Sequence, residues 1–180
     1  MDEQNRIKEA WDRMVSLLTK RPSAARGTSA TTVRLTDGLR CTVEEGSWRM
    51  TADQPAEYGG GDAGPGPGFF GRGALGLCAA QGYAMALARH GLPHRGIEVR
   101  VEGDMDARGC YGIADDVPIG YGAMRCIVSV ESDAAEAAIL AALDEADRLS
   151  PWRYNFTAPL SVVREVALRQ QAAGAGAPAG

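Results

Sequence analysis

From about residue 69 to residue 90 the chain keeps helical spacing, with Leu75, Cys78, Ala79, Gly82, Met85 and Ala86 on one face and Leu77, Ala84 and Ala88 on others. A helix that is apolar nearly all round belongs in an interior. It also carries Gly71, Gly73, Gly76 and Gly82, which together cost roughly 3 to 4 kcal/mol of helix propensity relative to alanine. Close packing must offset that, so the helix is expected to be clasped by a sheet or by a second helix like itself. Gly91 and Pro93 end it, through a C-cap glycine and a ring that cannot continue the hydrogen-bond ladder.

The flanking segments place this helix in an α+β protein. Upstream, Ile7, Trp11, Met14 and Leu18 form one stripe on a helix over 3–20 that needs a docking surface. A connector over 23–30 leads to alternating runs at 33–36 and 39–44, with the hairpin signal Asp37-Gly38 between them and a second turn at Glu45-Gly46 toward Trp48 and Met50. The stretch 58–68 is dominated by glycine and proline and reads as a flexible loop. Strands follow at Ile97–Val101 and Met124–Val130, separated by a Gly/Asp-rich loop over 104–120. A third helix opens with Asp133 as N-cap and Glu136 three residues on, and stops at Ser150-Pro151. A last strand is expected over 162–168 and a disordered tail over 170–180. Half-wet strands with grouped helices imply a mostly antiparallel sheet covered on one face.

With 180 residues, one domain is the default. A net charge of −4 gives no basic footprint for nucleic acid or an anionic membrane. The acidic Asp2-Glu3 start has no apolar run behind it, so neither a signal peptide nor a membrane span is expected, and the chain reads as cytoplasmic. Cys41, Cys78, Cys110 and Cys126 contain no C-x-x-C pair and are expected as free thiols, with no metal and no cofactor. His90 and His94 straddle a helix break and read as surface histidines, the glycine run 59–68 lacks a phosphate-loop register, and the aspartates of 104–116 lack calcium-loop spacing. Cys78 stands out by its place midway along the glycine-rich helix. It lies too far from the helix start for the macrodipole to acidify it, so an Arg or Lys from elsewhere would have to do so.

Asp53-Gln54-Pro55, Gly59-Gly60-Gly61, Gly64-Pro65-Gly66-Pro67, Ala74-Leu75-Gly76-Leu77-Cys78-Ala79-Ala80, then Gly96-Ile97-Glu98-Val99 and Gly103-Asp104, together resemble the OsmC/Ohr family, over roughly residues 33–166. The resemblance implies an OsmC-like domain over 31–169, preceded by an N-terminal helix and connector over 1–30. In it, antiparallel strands wrap a buried central Cys-bearing helix in an intertwined homodimer with its active site at the subunit interface. It also implies oxidative-stress chemistry: a thiolate at Cys78 attacks an organic hydroperoxide, and a second cysteine resolves the sulfenic acid. The chain departs from the family twice. The resolving Cys-Pro pair is Ser150-Pro151 here, and the Glu that follows the helix-opening proline is Gly68. Arg34, Arg40 and Arg72 are the candidates for an activating cation. Three readings follow. One is a thiol peroxidase using Cys78, with Cys41, Cys110, Cys126 or an external thiol as resolver. The second is a binding protein whose crevice, lined by Cys78, Ser150, Trp152 and Tyr154, holds a small apolar ligand. The third is another thiol transfer to a small electrophile.

Overall fold

The computed structural model describes residues 3–168, so the tail expected over 170–180 lies outside the described residues. Among the described residues, five α-helices and five strands follow one another as α1 (Glu3–Lys20), β1 (Thr32–Asp37), β2 (Arg40–Glu45), β3 (Trp48–Ala52), α2 (Pro67–Arg89), β4 (Gly96–Met105), α3 (Ala107–Cys110), β5 (Tyr121–Glu131), α4 (Glu136–Arg148) and α5 (Pro151–Thr157). The strands form two antiparallel sheets, β1-β2-β3 and β4-β5, where the sequence suggested one. Both hairpin signals become two-residue turns. Asp37 pairs with Arg40 and Glu45 with Trp48, and Gly38 (φ 54°) and Gly46 (φ 58°) take up the left-handed backbone that such turns need.

The core lies where α2 meets α4 and the inner face of β4-β5. Ala79, Tyr83, Ala86 and Leu87 of α2 pack on Ile139, Ala142 and Ala146 of α4, with Ile97, Val99, Val128 and Val130 closing over them. The small residues let the elements come close. A methyl group on Gly76 would sit 3.1 Å from Val101 Cγ2, and one on Gly82 would lie 3.8 Å from the Ala146 methyl. Sheet and helix therefore both clasp α2, at different glycines. One row of the helix stays exposed in the single chain, however: Phe69, Gly73, Leu77, Gln81 and Met85, with Leu77 61% exposed. The sheet β1-β2-β3 is likewise uncovered. Leu35 is 68% and Trp48 80% exposed.

Four expectations need correction. Residues 162–168 form no strand, because no neighbouring strand lies beside them within the chain; Val162 is 86% exposed. Asp133 does not cap α4. Its carboxylate is taken by the Arg95 guanidinium at 2.5 and 3.0 Å, and Ala135 stands at the N-cap. The loop after β3 is pinned rather than flexible. Asp53, almost wholly buried, accepts backbone N–H groups from Gln54 (2.8 Å), Gly61 (3.1 Å) and Ala63 (3.1 Å), with Arg40 3.7 Å away. Burial pushes its carboxyl up, but the three N–H donors and Arg40 outweigh that and hold it below the usual carboxylate range. Gly60 is obligatory there, since any Cβ would overlap the Gln54 carbonyl. Finally, His94 is no ordinary surface histidine: both ring nitrogens are out of solvent without a partner, whereas His90 bonds Glu145 at 2.6 Å.

Candidate functional site

Cys78 and Ser150, far apart in sequence, are brought together by the packing of α2 on the α4–α5 corner. Leu149 ends α4, Ser150 turns the chain, and Pro151 sits at the first turn of α5, where its missing N–H costs nothing. The Ser150 Oγ accepts the Arg153 backbone N–H at 3.2 Å and so caps α5. With that lone pair engaged, the hydroxyl proton is free to turn toward Cys78 Sγ, 3.4 Å away.

These two groups open into a cleft of about 380 Å³. Its floor is the row Cys78, Gly82, Ala86 and Arg89 along α2, with Ala146, Leu149, Pro151 and Trp152 on one side and Trp11 of α1 on the other. The walls are mainly apolar, with Gln81, Ser150 and Arg89 supplying polar edges. Of the residues singled out from sequence, Cys78, Ser150 and Trp152 meet here. Tyr154 does not line this cleft and is 66% exposed. Trp11 and Arg89 went unrecognised. The stripe of α1 signalled that Trp11 docks, but nothing in the sequence said where.

None of the three candidate cations lines the cleft. Arg34 is held by Glu44, Arg40 by Asp53, and Arg72 donates to the Tyr121 hydroxyl at 2.7 Å. That pair borders Gly68: a Cβ there would lie 3.0 Å from Arg72 Nη1 and 3.3 Å from the Tyr121 oxygen. The guanidinium in the cleft is Arg89. It is bound to Glu145 at 2.9 Å and stacked 4.4 Å over the Trp11 ring. Nor does a second cysteine line the cleft. Cys41 sits on β2 and Cys110 is exposed on α3, while Cys126 lines a separate depression with Leu75, Arg153 and Phe156. Burial pushes the Cys126 thiol up. Among the described residues there is no cluster of three metal-ligating side chains, and no helix is long and apolar enough to cross a membrane.

Residues 59–163, which carry α2, both strands of the second sheet and the α4–α5 corner, match the family described as OsmC-like protein. The chain belongs to that family. Solved structures agree on the fold. An OsmC-like protein from Mycoplasma pneumoniae is 15% identical with a TM-score of 0.63, over 72% of this chain and 87% of that one. An organic hydroperoxide resistance protein OsmC from Legionella pneumophila is 13% identical with a TM-score of 0.51, over 73% of this chain and 92% of its own. No curated protein matches the chain. The OsmC-like match leaves α1 outside, although α1 supplies a wall of the cleft.

Proposed function

We propose that this OsmC-like protein is a thiol-dependent reductase of organic hydroperoxides, acting through Cys78 as a homodimer in a reducing cytosol. The observation that carries the reading is the Cys78 sulfur, set on the floor of an apolar cleft with a hydroxyl 3.4 Å away. The thiolate attacks the terminal peroxide oxygen; an S–O bond forms and the O–O bond breaks. The alkoxide leaves with the electron pair and takes a proton to become the alcohol, while the sulfur becomes a sulfenic acid. Ser150 stands where the family's resolving cysteine would be, and a hydroxyl cannot form a disulfide. An external thiol therefore attacks the sulfenic sulfur and releases water, and a second one reduces the mixed disulfide to regenerate Cys78.

Self-association is supported by what the single chain leaves bare. Its accessible surface is 13877 Å², against roughly 8400 Å² for a compact monomer of this mass. The exposed row on α2, the uncovered first sheet and the apolar segment 160–168 contribute to the excess. A methyl group on Gly71 or Gly73 would meet nothing within 4 Å, so a second α2 can approach there.

A second reading is favoured by one observation: the only guanidinium lining the cleft, among the described residues, is Arg89, and Glu145 already holds it. In that reading the cleft binds a small apolar ligand and Cys78 only packs. Peroxide consumption with cumene hydroperoxide and a dithiol, wild type beside Cys78→Ser, decides between them. Turnover lost in the variant supports the reductase; absence of turnover in both, with Cys78 unmodified by peroxide, supports the binding protein.

A further inference from the structure

The cleft is closed in part by a helix that precedes the matched residues 59–163. Helix α1 lies outside the family match and packs chiefly against α2. It contains no fully buried residue, so its apolar stripe adds little to the core. Met14, on that stripe, is 51% exposed, while Trp11 is half-buried against the cleft. The indole is fixed in place. Arg89 stacks on it, Glu145 fixes Arg89, and Gln4 Nε2 donates to the Leu92 carbonyl at 3.2 Å, tying down the start of α1.

We propose that α1 is a built-in wall of the Cys78 cleft and that Trp11 is its specificity-determining residue, reading the length of the apolar group that extends from the reacting atom. The proposal deepens the reductase reading and rests on the same cleft. Cys78 and Arg89 lie on one face of α2 about three turns apart, roughly 16 Å along the axis. Between them Gly82 and Ala86 leave an open floor. The indole, 4.4 Å from Arg89 Cζ, walls the Arg89 end of that floor, and Cys78 marks the other end. A long alkyl group lying along Gly82 and Ala86 meets the indole face. Trp11 therefore contributes to the binding of long apolar substrates and not of short ones, and Arg89 is a positioning residue that acts through it.

The test compares wild type, Trp11→Ala and Trp11→Phe, all as the full chain, in two assays. The first is kcat/KM for a long-chain alkyl hydroperoxide relative to tert-butyl hydroperoxide. The second is the rate at which Cys78, followed by peptide mass mapping, is alkylated by a long-chain N-alkylmaleimide relative to N-ethylmaleimide. In Trp11→Ala both long-to-short ratios are expected to fall about tenfold, the factor that desolvating some two methylenes carries, and Trp11→Phe should restore most of it. Ratios unchanged within twofold overturn the proposal, as does an equal loss for long and short reagents. If no peroxide is consumed but the maleimide ratio follows Trp11, the reductase reading fails and the wall stands. If Cys78-dependent turnover is present and both ratios ignore Trp11, the wall fails and the reductase stands.

Discussion

Replacing Ser150 by cysteine would place a second thiol beside Cys78, and the structure sets the size of the effect. The Ser150 oxygen is 3.4 Å from Cys78 Sγ, so two sulfurs at these positions need to approach by only about 1.3 Å to reach bonding distance. The crosslink would close a loop of 72 residues, and the chain-entropy estimate for a loop of that length is about 4 kcal/mol. Against this stands the lost helix cap. Ser150 accepts the Arg153 N–H, and a thiol does so poorly, at a cost of about 1 kcal/mol. Some 3 kcal/mol remains, which for a chain of this size raises the melting temperature by roughly 6–12 °C. The assay is thermal melting of oxidised and reduced Ser150→Cys, with thiols counted by a chromogenic disulfide. The reduced variant has five thiols, the natural four plus one, and oxidation should leave three. Five after oxidation would refute the placement of Ser150 beside Cys78. Three thiols with no rise in melting temperature would refute the entropy argument while leaving the placement intact.

Tyr83→Phe deletes a phenol that is 3% exposed and donates to Asp147 Oδ1 at 2.9 Å. It should cost about 1–2 kcal/mol in urea unfolding, because a buried bond to a carboxylate is lost while Asp147 stays partly wet; no change would show that the bond is not formed. Glu145 is held below the usual carboxylate range, first by the His90 hydrogen bond and then by Arg89, with burial opposing both. Its folded value lies under its unfolded one, so its contribution to stability is present above about pH 4.3 and is lost as pH falls through the depressed folded value. Glu145→Gln should therefore flatten the acid limb of melting temperature against pH, and an identical slope would sink the assignment. Leu77→Glu places a charge on the bare row of α2 and should leave the melting temperature of the isolated fold nearly unchanged. In light scattering it should convert a dimer into a monomer, and a wild type that is already monomeric would remove the premise.

How far the sequence carried depended on whether a signal was local. Turn chemistry at Asp37-Gly38 and Glu45-Gly46 and the helical spacing of α2 are written in neighbouring residues, and both appear as read. The apolar run Val162–Leu168 is just as local, yet a strand exists only beside another strand, and among the described residues none lies next to it. Helix α5 was missed because Ser150-Pro151 was read as the end of one helix and not also as the start of the next. The candidate site follows the same division. Cys78 stood out by its position on a helix, and Ser150 and Trp152 through the resemblance, while Trp11 and Arg89 depend on how α1 docks.

Both positions at which the resemblance implies another residue make contacts of their own. At position 150 a serine keeps the cap of α5 and presents its hydroxyl to the Cys78 sulfur, which a resolving thiol would instead attack. At position 68 glycine borders the Arg72 guanidinium and the Tyr121 hydroxyl to which it donates. A carboxylate placed there by Gly68→Glu would find the Arg72 guanidinium as its partner, and Arg72 does not line the Cys78 cleft. A thiol placed at 150 by Ser150→Cys would stand beside Cys78 but remove the hydroxyl that accepts the Arg153 N–H. In the reductase proposed above, a single thiol of the cleft would therefore react and the second would arrive from solution.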